Sequence, residues 1–215
     1  MKRHLKRHQV PKNWPVPRKG TTFVVKPNSD LDSGVPILIA MRDMLKATQN
    51  RREVKKAIHE KNILLNNKPA RNEKQSVVLF DTLTIVPMKK SYRMGLTSNG
   101  KFKLEETKEA NIKVARVVNK KTLKGKKTQL NLSDGKNYLS ELKCDTNDSV
   151  LIDFKTNNVT ECLKMKEKSN VIIFAGKHAG TQGVISKINP ERKMAEINMG
   201  EKNINVLIKQ FMVVQ

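Results

Sequence analysis

Apolar positions along this chain change period twice. In PILIAMRDMLKAT, residues Ile37, Leu38, Met41, Met44 and Leu45 recur at three- and four-residue steps. That spacing predicts an amphipathic helix with Pro36 at its first turn. After a break at residues 48–50, NRREVKKAIHEK predicts a second helix with Val54, Ala57 and Ile58 turned inward. Its other side stacks Arg51, Lys55 and His59 at i, i+4 and i+8, with Arg52 and Lys56 beside them. ILLNNKPARN then reads as a short strand with a turn at Asn66 and Asn67, and VVLFDTLTIVP as a turn near Asp81 followed by a strand from Leu83 to Val86. From residue 91 the helical period disappears. IKVARVV, TQLNL, SVLIDF and VTECLKM are short strand-like runs separated by KKTLKGKK, SDGKN and TNN, all of them turn chemistry. The Asp-Gly pair in SDGKN is a tight-turn signal. Beyond residue 169, VIIF, VISKI, MAEINM, INVLI and FMVV alternate with turn signals, and so many short strands in under 50 residues predict a small closed barrel.

Residues ahead of the first helix show no period. Pro11, Pro15, Pro17 and Pro27 limit regular structure there, so this stretch is expected to be an extended arm. Four segments result: an arm at 1–35, a helix-containing module at 36–90, a central β domain at 91–168 and a barrel at 169–215. The fold class is α+β, mostly β. Hydrophobic residues make up 37% and aromatics 4%, which suits several small cores better than one large one. Trp14 could pin the arm to the protein's own surface or stack on a base, and the sequence favours neither.

Charge changes the picture most. Lys and Arg number 43 against 20 Asp and Glu, a net charge of +23, and the first 29 residues hold no acid. A solubilising surface mixes both signs. An acid-free arm carrying Lys2, Arg3, Lys6, Arg7, Lys12, Arg18 and Lys19 reads instead as an extension laid along phosphates. The stacked cations Arg51, Arg52, Lys55 and Lys56 would cost an isolated helix a few tenths of a kcal/mol per pair; they read either as a site where a bound anion relieves that cost or as an ordinary solvated basic face. Lys124, Lys126 and Lys127, with Lys120 and Lys121, cluster at a predicted hairpin tip; such a loop is either an ordinary solvated one or a backbone-phosphate contact. The same field opposes close approach of two copies, so no obligate homo-oligomer is expected.

Other chemistry finds little support. The longest strongly apolar run, Val35 to Met41, is too short to span a bilayer, and the N-terminus lacks a signal-peptide core. Cys144 and Cys162 read as free thiols in small cores, without nearby residues to complete a zinc site. Gly176, Gly180 and Gly183 are spaced G-x-x-x-G-x-x-G, and a strand pattern follows them rather than a helix. A dinucleotide loop or P-loop would need other spacing and helix N-terminal amides. These glycines read as turn formers and as points of close backbone approach. Asp134 reads as the turn former of SDGKN, with no visible partner. No cofactor, metal, small-molecule substrate or catalytic set is expected.

Several stretches carry family resemblance. Arg51 to Val54 opening the second helix, the strand-turn ILLNNK, and Phe80 with Asp81 resemble the S4-type RNA-binding module, two helices on a small antiparallel sheet. Val171 to Ile173, the three glycines and Val184 with Ile185 resemble the KOW motif of SH3-like barrels. With HLKRHQVPKNWPVPRKGTTFVVKP, SYRM and QLNLSDGKN in the same order, the whole chain resembles the S4e family of small-subunit ribosomal proteins of archaea and eukaryotes. Two features depart from it: Ser133 stands where the family tends to have His, and the chain stops earlier than many members. The resemblance implies binding to small-subunit ribosomal RNA beside neighbouring ribosomal proteins, in the cytoplasm. It adds Tyr92, Arg93, Lys136, Asn137, Lys177 and His178 to the RNA-facing set. The rival readings are a KOW-bearing transcription elongation factor and an RNA-modification protein. The second would need a separate catalytic domain.

Overall fold

Antiparallel strand pairing, most of it between neighbours in sequence, builds this structure. The computed structural model describes residues 3–200 and 202–214. It divides the chain into two compact units, residues 1–97 with 101–111, and residues 98–100 with 112–215. Among the described residues no helix is long and apolar enough to cross a membrane.

In the first unit the N-terminal segment is not a free arm. Strand β1 (Leu5–Lys6) pairs with β2 (Phe23–Val24), and Leu5 and Trp14 are buried in the unit's core. The prolines shorten the regular elements, yet two large apolar side chains still fold the segment back, because leaving them in water costs about 1.5–3 kcal/mol each. Strand β3 (Gly34–Pro36) leads into α1 (Ile37–Ile39), a single α-turn that widens at once into a π-helical turn over Ala40–Met44. The long amphipathic helix predicted here is therefore shorter and wider. Residues 37–41 are all buried, so the segment has no solvent face to keep in register. Helix α2 (Arg51–His59) forms as predicted. Glu53 caps it, its carboxylate accepting the backbone N–H of Gln49 at 2.7 Å and of Asn50 at 3.4 Å.

Strands β4 (Ile63–Leu65) and β5 (Lys68–Pro69) follow, joined by the predicted turn, in which Asn66 and Asn67 take φ of 54° and 61°. Strand β6 (Ser76–Val78) pairs with β3. Strands β7 (Thr82–Ile85), β8 (Lys90–Leu96) and β9 (Phe102–Glu106) complete a sheet of order β5-β4-β7-β8-β9. Asp81 secures its centre: its carboxylate accepts Asn66 Nδ2 at 2.8 Å and the Val78 N–H at 2.8 Å. Strand β8 runs across the boundary expected near residue 90, pairing Arg93 with Thr82 and Lys90 with Ile85. The first unit accordingly continues to residue 111.

The second unit holds two five-stranded sheets. Strands β10 (Ile112–Thr122), β11 (Thr128–Leu132), β12 (Asn137–Ser140), β13 (Ser149–Asp153) and β14 (Asn158–Leu163) lie in the order β12-β11-β10-β13-β14. Strands β15 (Asn170–Ile173), β16 (Gln182–Asn189), β17 (Met194–Asn198), β18 (Asn203–Leu207) and β19 (Phe211–Val213) lie in the order β18-β17-β16-β15-β19. Each sheet has its own core, one around Val117, Leu130 and Ile152, the other around Val171, Ile185, Ile197 and Phe211. Ser149 joins them, its Oγ accepting the Val213 N–H at 3.0 Å.

Asp134 does more than turn the chain. Its Oδ1 accepts the Lys136 N–H at 3.0 Å, and its Oδ2 accepts Lys113 Nζ at 2.7 Å, with side-chain exposures of 3% and 1% for Asp134 and Lys113. The partner sits 21 residues upstream, and only strand pairing brings it there. Burial would raise the Asp134 pKa, but the charge and hydrogen bond of Lys113, helped by Lys136, hold it below the ordinary carboxylate range. Its contribution to stability is thus complete above the ordinary carboxylate pKa and disappears as pH falls through the lowered value. Asp134→Ala removes the carboxylate of a buried ion pair and should cost about 3–5 kcal/mol in urea unfolding at neutral pH. The gap between variant and parent should narrow under acid conditions.

Candidate nucleic-acid interface

Helix α2 presents its basic face beside a groove of about 710 Å³ lined by Lys55, Ile58, His59, Lys61, Lys68, Pro69, Ala70, Arg71, Asn72 and Glu73. The lining comes from three local features. The helical step of four places Lys55 and His59 on one side. Lys61 takes φ 58° just past the helix and turns the chain toward β4. Lys68 and Arg71 follow from the β4–β5 turn and the loop after it. Four cations thus meet one carboxylate, and that carboxylate is already engaged.

Glu73 is buried, and its Oε1 accepts Arg51 Nη2 at 2.6 Å and Arg51 Nε at 3.2 Å, with Lys55 Nζ 4.0 Å away. Burial pushes its carboxyl up, but the hydrogen bonds from Arg51 and from the Glu73 backbone, with the charges of Arg51 and Lys55, outweigh this and hold it low. Arg51, expected to pair with an anion, spends one edge of its guanidinium on Glu73, so it anchors the helix to the loop below. Arg52 and Lys55 stay exposed, while Lys56 lies 3.8 Å from Glu60.

The other predicted residues are distributed over both units. Arg3, Lys6, Lys12, Arg18 and Lys19 are exposed, whereas Lys2 lies outside the described residues. Arg7 is committed to holding its own segment: it donates to Thr21 O at 2.6 Å, Pro17 O at 2.7 Å and Thr21 Oγ1 at 2.8 Å. Trp14 is 2% exposed and its indole N–H donates to Leu31 O at 3.2 Å. Its ring is part of the core, which corrects the base-stacking alternative. Tyr92 packs on the first core, and Arg93 Nη2 donates to Glu109 O at 2.7 Å. Both are half-buried in β8, which ties them to the sheet.

In the second unit the β10–β11 hairpin carries its lysines past the end of β13, which pairs only with residues 112–116. Lys124 and Lys127 are exposed at the tip; the Lys126 side chain lies outside the described residues. Lys120 is drawn back, with Nζ on Asp145 Oδ1 at 2.7 Å and on Cys144 O at 3.1 Å. Lys136 stands 5.5 Å from the centre of the Phe154 ring, and Asn137 is exposed on β12. Lys177 is exposed and His178 half-buried in the glycine loop between β15 and β16. Gly176 and Gly180 have φ of 92° and 90° there, and a Cβ on Gly183 would come within 2.6 Å of Asn198 O. Both roles read for these glycines are present, one in the turns and one in the strand.

Lys61, Lys68 and Arg71 were not singled out by sequence, because they belong to no periodic face and only the β4–β5 turn gathers them.

Comparison with known proteins fits this arrangement. Residues 88–159 match the model for ribosomal family S4e, and residues 1–29 match the RS4NT domain model. The small ribosomal subunit protein eS4 of Methanocella arvoryzae is 34% identical over 195 residues, 89% of this chain and 83% of the relative. That of Methanothermobacter thermautotrophicus is 34% identical over 196 residues, 89% of this chain and 81% of the relative. The fold is similar to the crystal structure of 30S ribosomal protein S4e from Thermoplasma acidophilum, with a TM-score of 0.73 at 23% identity. That likeness covers 85% of this chain and 95% of the other.

The Arg51–Glu73 contact gives a direct stability test. Glu73→Gln removes a charged acceptor from a half-buried bond and should lower unfolding stability by about 1–2 kcal/mol. Guanidinium titration of parent and variant measures it, and the loss should shrink as pH falls through the lowered Glu73 pKa.

Proposed function

The chain belongs to the S4e family of ribosomal proteins, and we propose that it is a structural constituent of the small ribosomal subunit, bound to its rRNA and without chemistry of its own. The observation that carries this reading is the α2 groove. Lys55, Lys61, Lys68 and Arg71 face it, while its carboxylate, Glu73, already serves Arg51. Like charges held together in a folded protein repel one another, and a polyanion removes that repulsion while releasing its own counterions. The groove sets four cationic side chains around Ile58, Pro69 and Ala70 and has no aromatic side chain but His59 in its lining, unlike the mainly apolar and aromatic walls that enclose most small ligands.

Each part has a distinct task in this reading. The exposed cations of the N-terminal segment lie along backbone phosphates and set position rather than sequence. The rigid α2 groove selects geometry, since its charges are fixed by a capped helix and a tight turn. The lysine hairpin reaches a second stretch of backbone. The β15–β19 sheet acts as an SH3-like KOW barrel whose glycine loop, with Lys177 and His178, turns toward RNA or a neighbouring ribosomal protein. RNA shape rather than base sequence sets the site.

Salt dependence tests the central claim. Combined Lys61→Ala, Lys68→Ala and Arg71→Ala should weaken binding to small-subunit rRNA and flatten the slope of log K against log salt by about 2–3. These side chains are exposed, so the unfolding midpoint should hold. Unchanged affinity and slope would remove the groove from the footprint.

A further inference from the structure

The second unit contains a cation that its own fold leaves uncompensated. Arg116 lies on β10, where Ala115 and Val117 on either side of it point into the sheet's core. Alternation therefore turns Arg116 to the opposite face, next to its cross-strand partner Ser149. That face looks toward the second sheet: Ser149 bonds Val213, and Leu163, the next residue in the row, packs on the second core. The guanidinium carbon of Arg116 lies 5.4 Å from the centre of the Phe174 ring, at the start of the glycine loop.

Several other cations have an internal acceptor, Arg7 and Arg93 in backbone carbonyls and three more in a carboxylate. Arg42 has Asp43, Arg51 has Glu73 and Lys113 has Asp134. Among the described residues Arg116 has neither an ion pair nor a hydrogen-bond acceptor, and its Nε is sealed from solvent without a partner. Burial alone acts on its pKa, downward. The Phe174 ring does not settle the account. It stabilises a cation electrostatically but accepts none of the in-plane N–H donors of the guanidinium. An uncompensated buried charge is a recognised source of large destabilisation. A planar fork seated on an aromatic ring, with its terminal nitrogens less enclosed than Nε, matches a bidentate oxyanion. Lys177 and His178 follow Phe174 within four residues and add basic side chains on the same loop.

We propose that Arg116, seated on Phe174, is a phosphate-binding residue that takes a backbone phosphate of the bound RNA. This rests on the rRNA-binding reading and adds to it a site remote in sequence from the α2 groove. Because Arg116 lacks an internal partner, its removal should leave the free protein at least as stable as before.

The test uses the full chain. Affinity for small-subunit rRNA and the unfolding midpoint are measured for the parent, Arg116→Gln and Arg116→Lys. Inorganic phosphate is titrated in parallel while the arginine side-chain NMR signals are followed. Arg116→Gln should weaken rRNA binding roughly tenfold to a hundredfold with no loss of midpoint, as expected for a charged hydrogen bond. Arg116→Lys should recover only part, since a point charge does not reproduce the fork. Full rRNA affinity in Arg116→Gln overturns the proposal, whatever phosphate does. Should Arg116→Gln unfold, Arg116→Lys decides. A folded lysine variant with reduced affinity supports the site, and one with parental affinity overturns it. If the parent itself fails to bind rRNA, the functional reading falls and phosphate decides the site: a shift of the Arg116 signals lost in the variants supports it, no shift overturns it.

Discussion

Scarcity of negative charge organises this protein. With 20 acidic side chains for 43 basic ones, most cations cannot be neutralised internally. Two of the carboxylates are spent where folding would otherwise leave a charge enclosed and unpaired. Asp134 meets Lys113 inside the central sheet, and Glu73 meets Arg51 at the foot of α2. Most of the remaining cations are exposed, where water and salt screen them. In the proposed reading stability and binding are thereby separated: the buried charge pairs hold the fold, and exposed cations meet the RNA.

The low aromatic content has a similar consequence. Among the described residues the apolar side chains gather in three separate cores, closed by strand pairing and by side chains that satisfy backbone groups at the joints. Asp81 ties the Asn66 turn to the end of β6, and Ser149 ties the central sheet to β19. The N-terminal segment is drawn in for the same reason. Trp14 is the one tryptophan available, and a core that small uses it rather than leaving it to a partner.

Local rules read correctly wherever a short stretch determined the outcome. The Asn66–Asn67 turn, the capped α2 helix, the Asp-Gly turn and the strands of the last sheet all follow from neighbours within a few residues. The α1 segment was read too long because its apolar positions satisfy a helical period, while burial on all sides lets the backbone widen into a π-turn. Strand β8 looks like the start of a new β segment near residue 90, yet it pairs with β7, a register fact invisible in composition.

For the candidate interface the division is sharper. The sequence alone determined that the chain is strongly cationic, that α2 stacks its charges on one face, and that the glycines fall where the chain turns or passes close to a neighbouring strand. These are properties of spacing and charge count, which survive without coordinates. Tertiary structure decided how the cations are placed. It committed Arg7 and Arg51 to internal bonds, buried Trp14, brought Lys61, Lys68 and Arg71 beside the α2 face, and left Arg116 on Phe174 without an acceptor among the described residues. Whether a charged side chain has a partner depends on residues distant along the chain, and only folding brings those together.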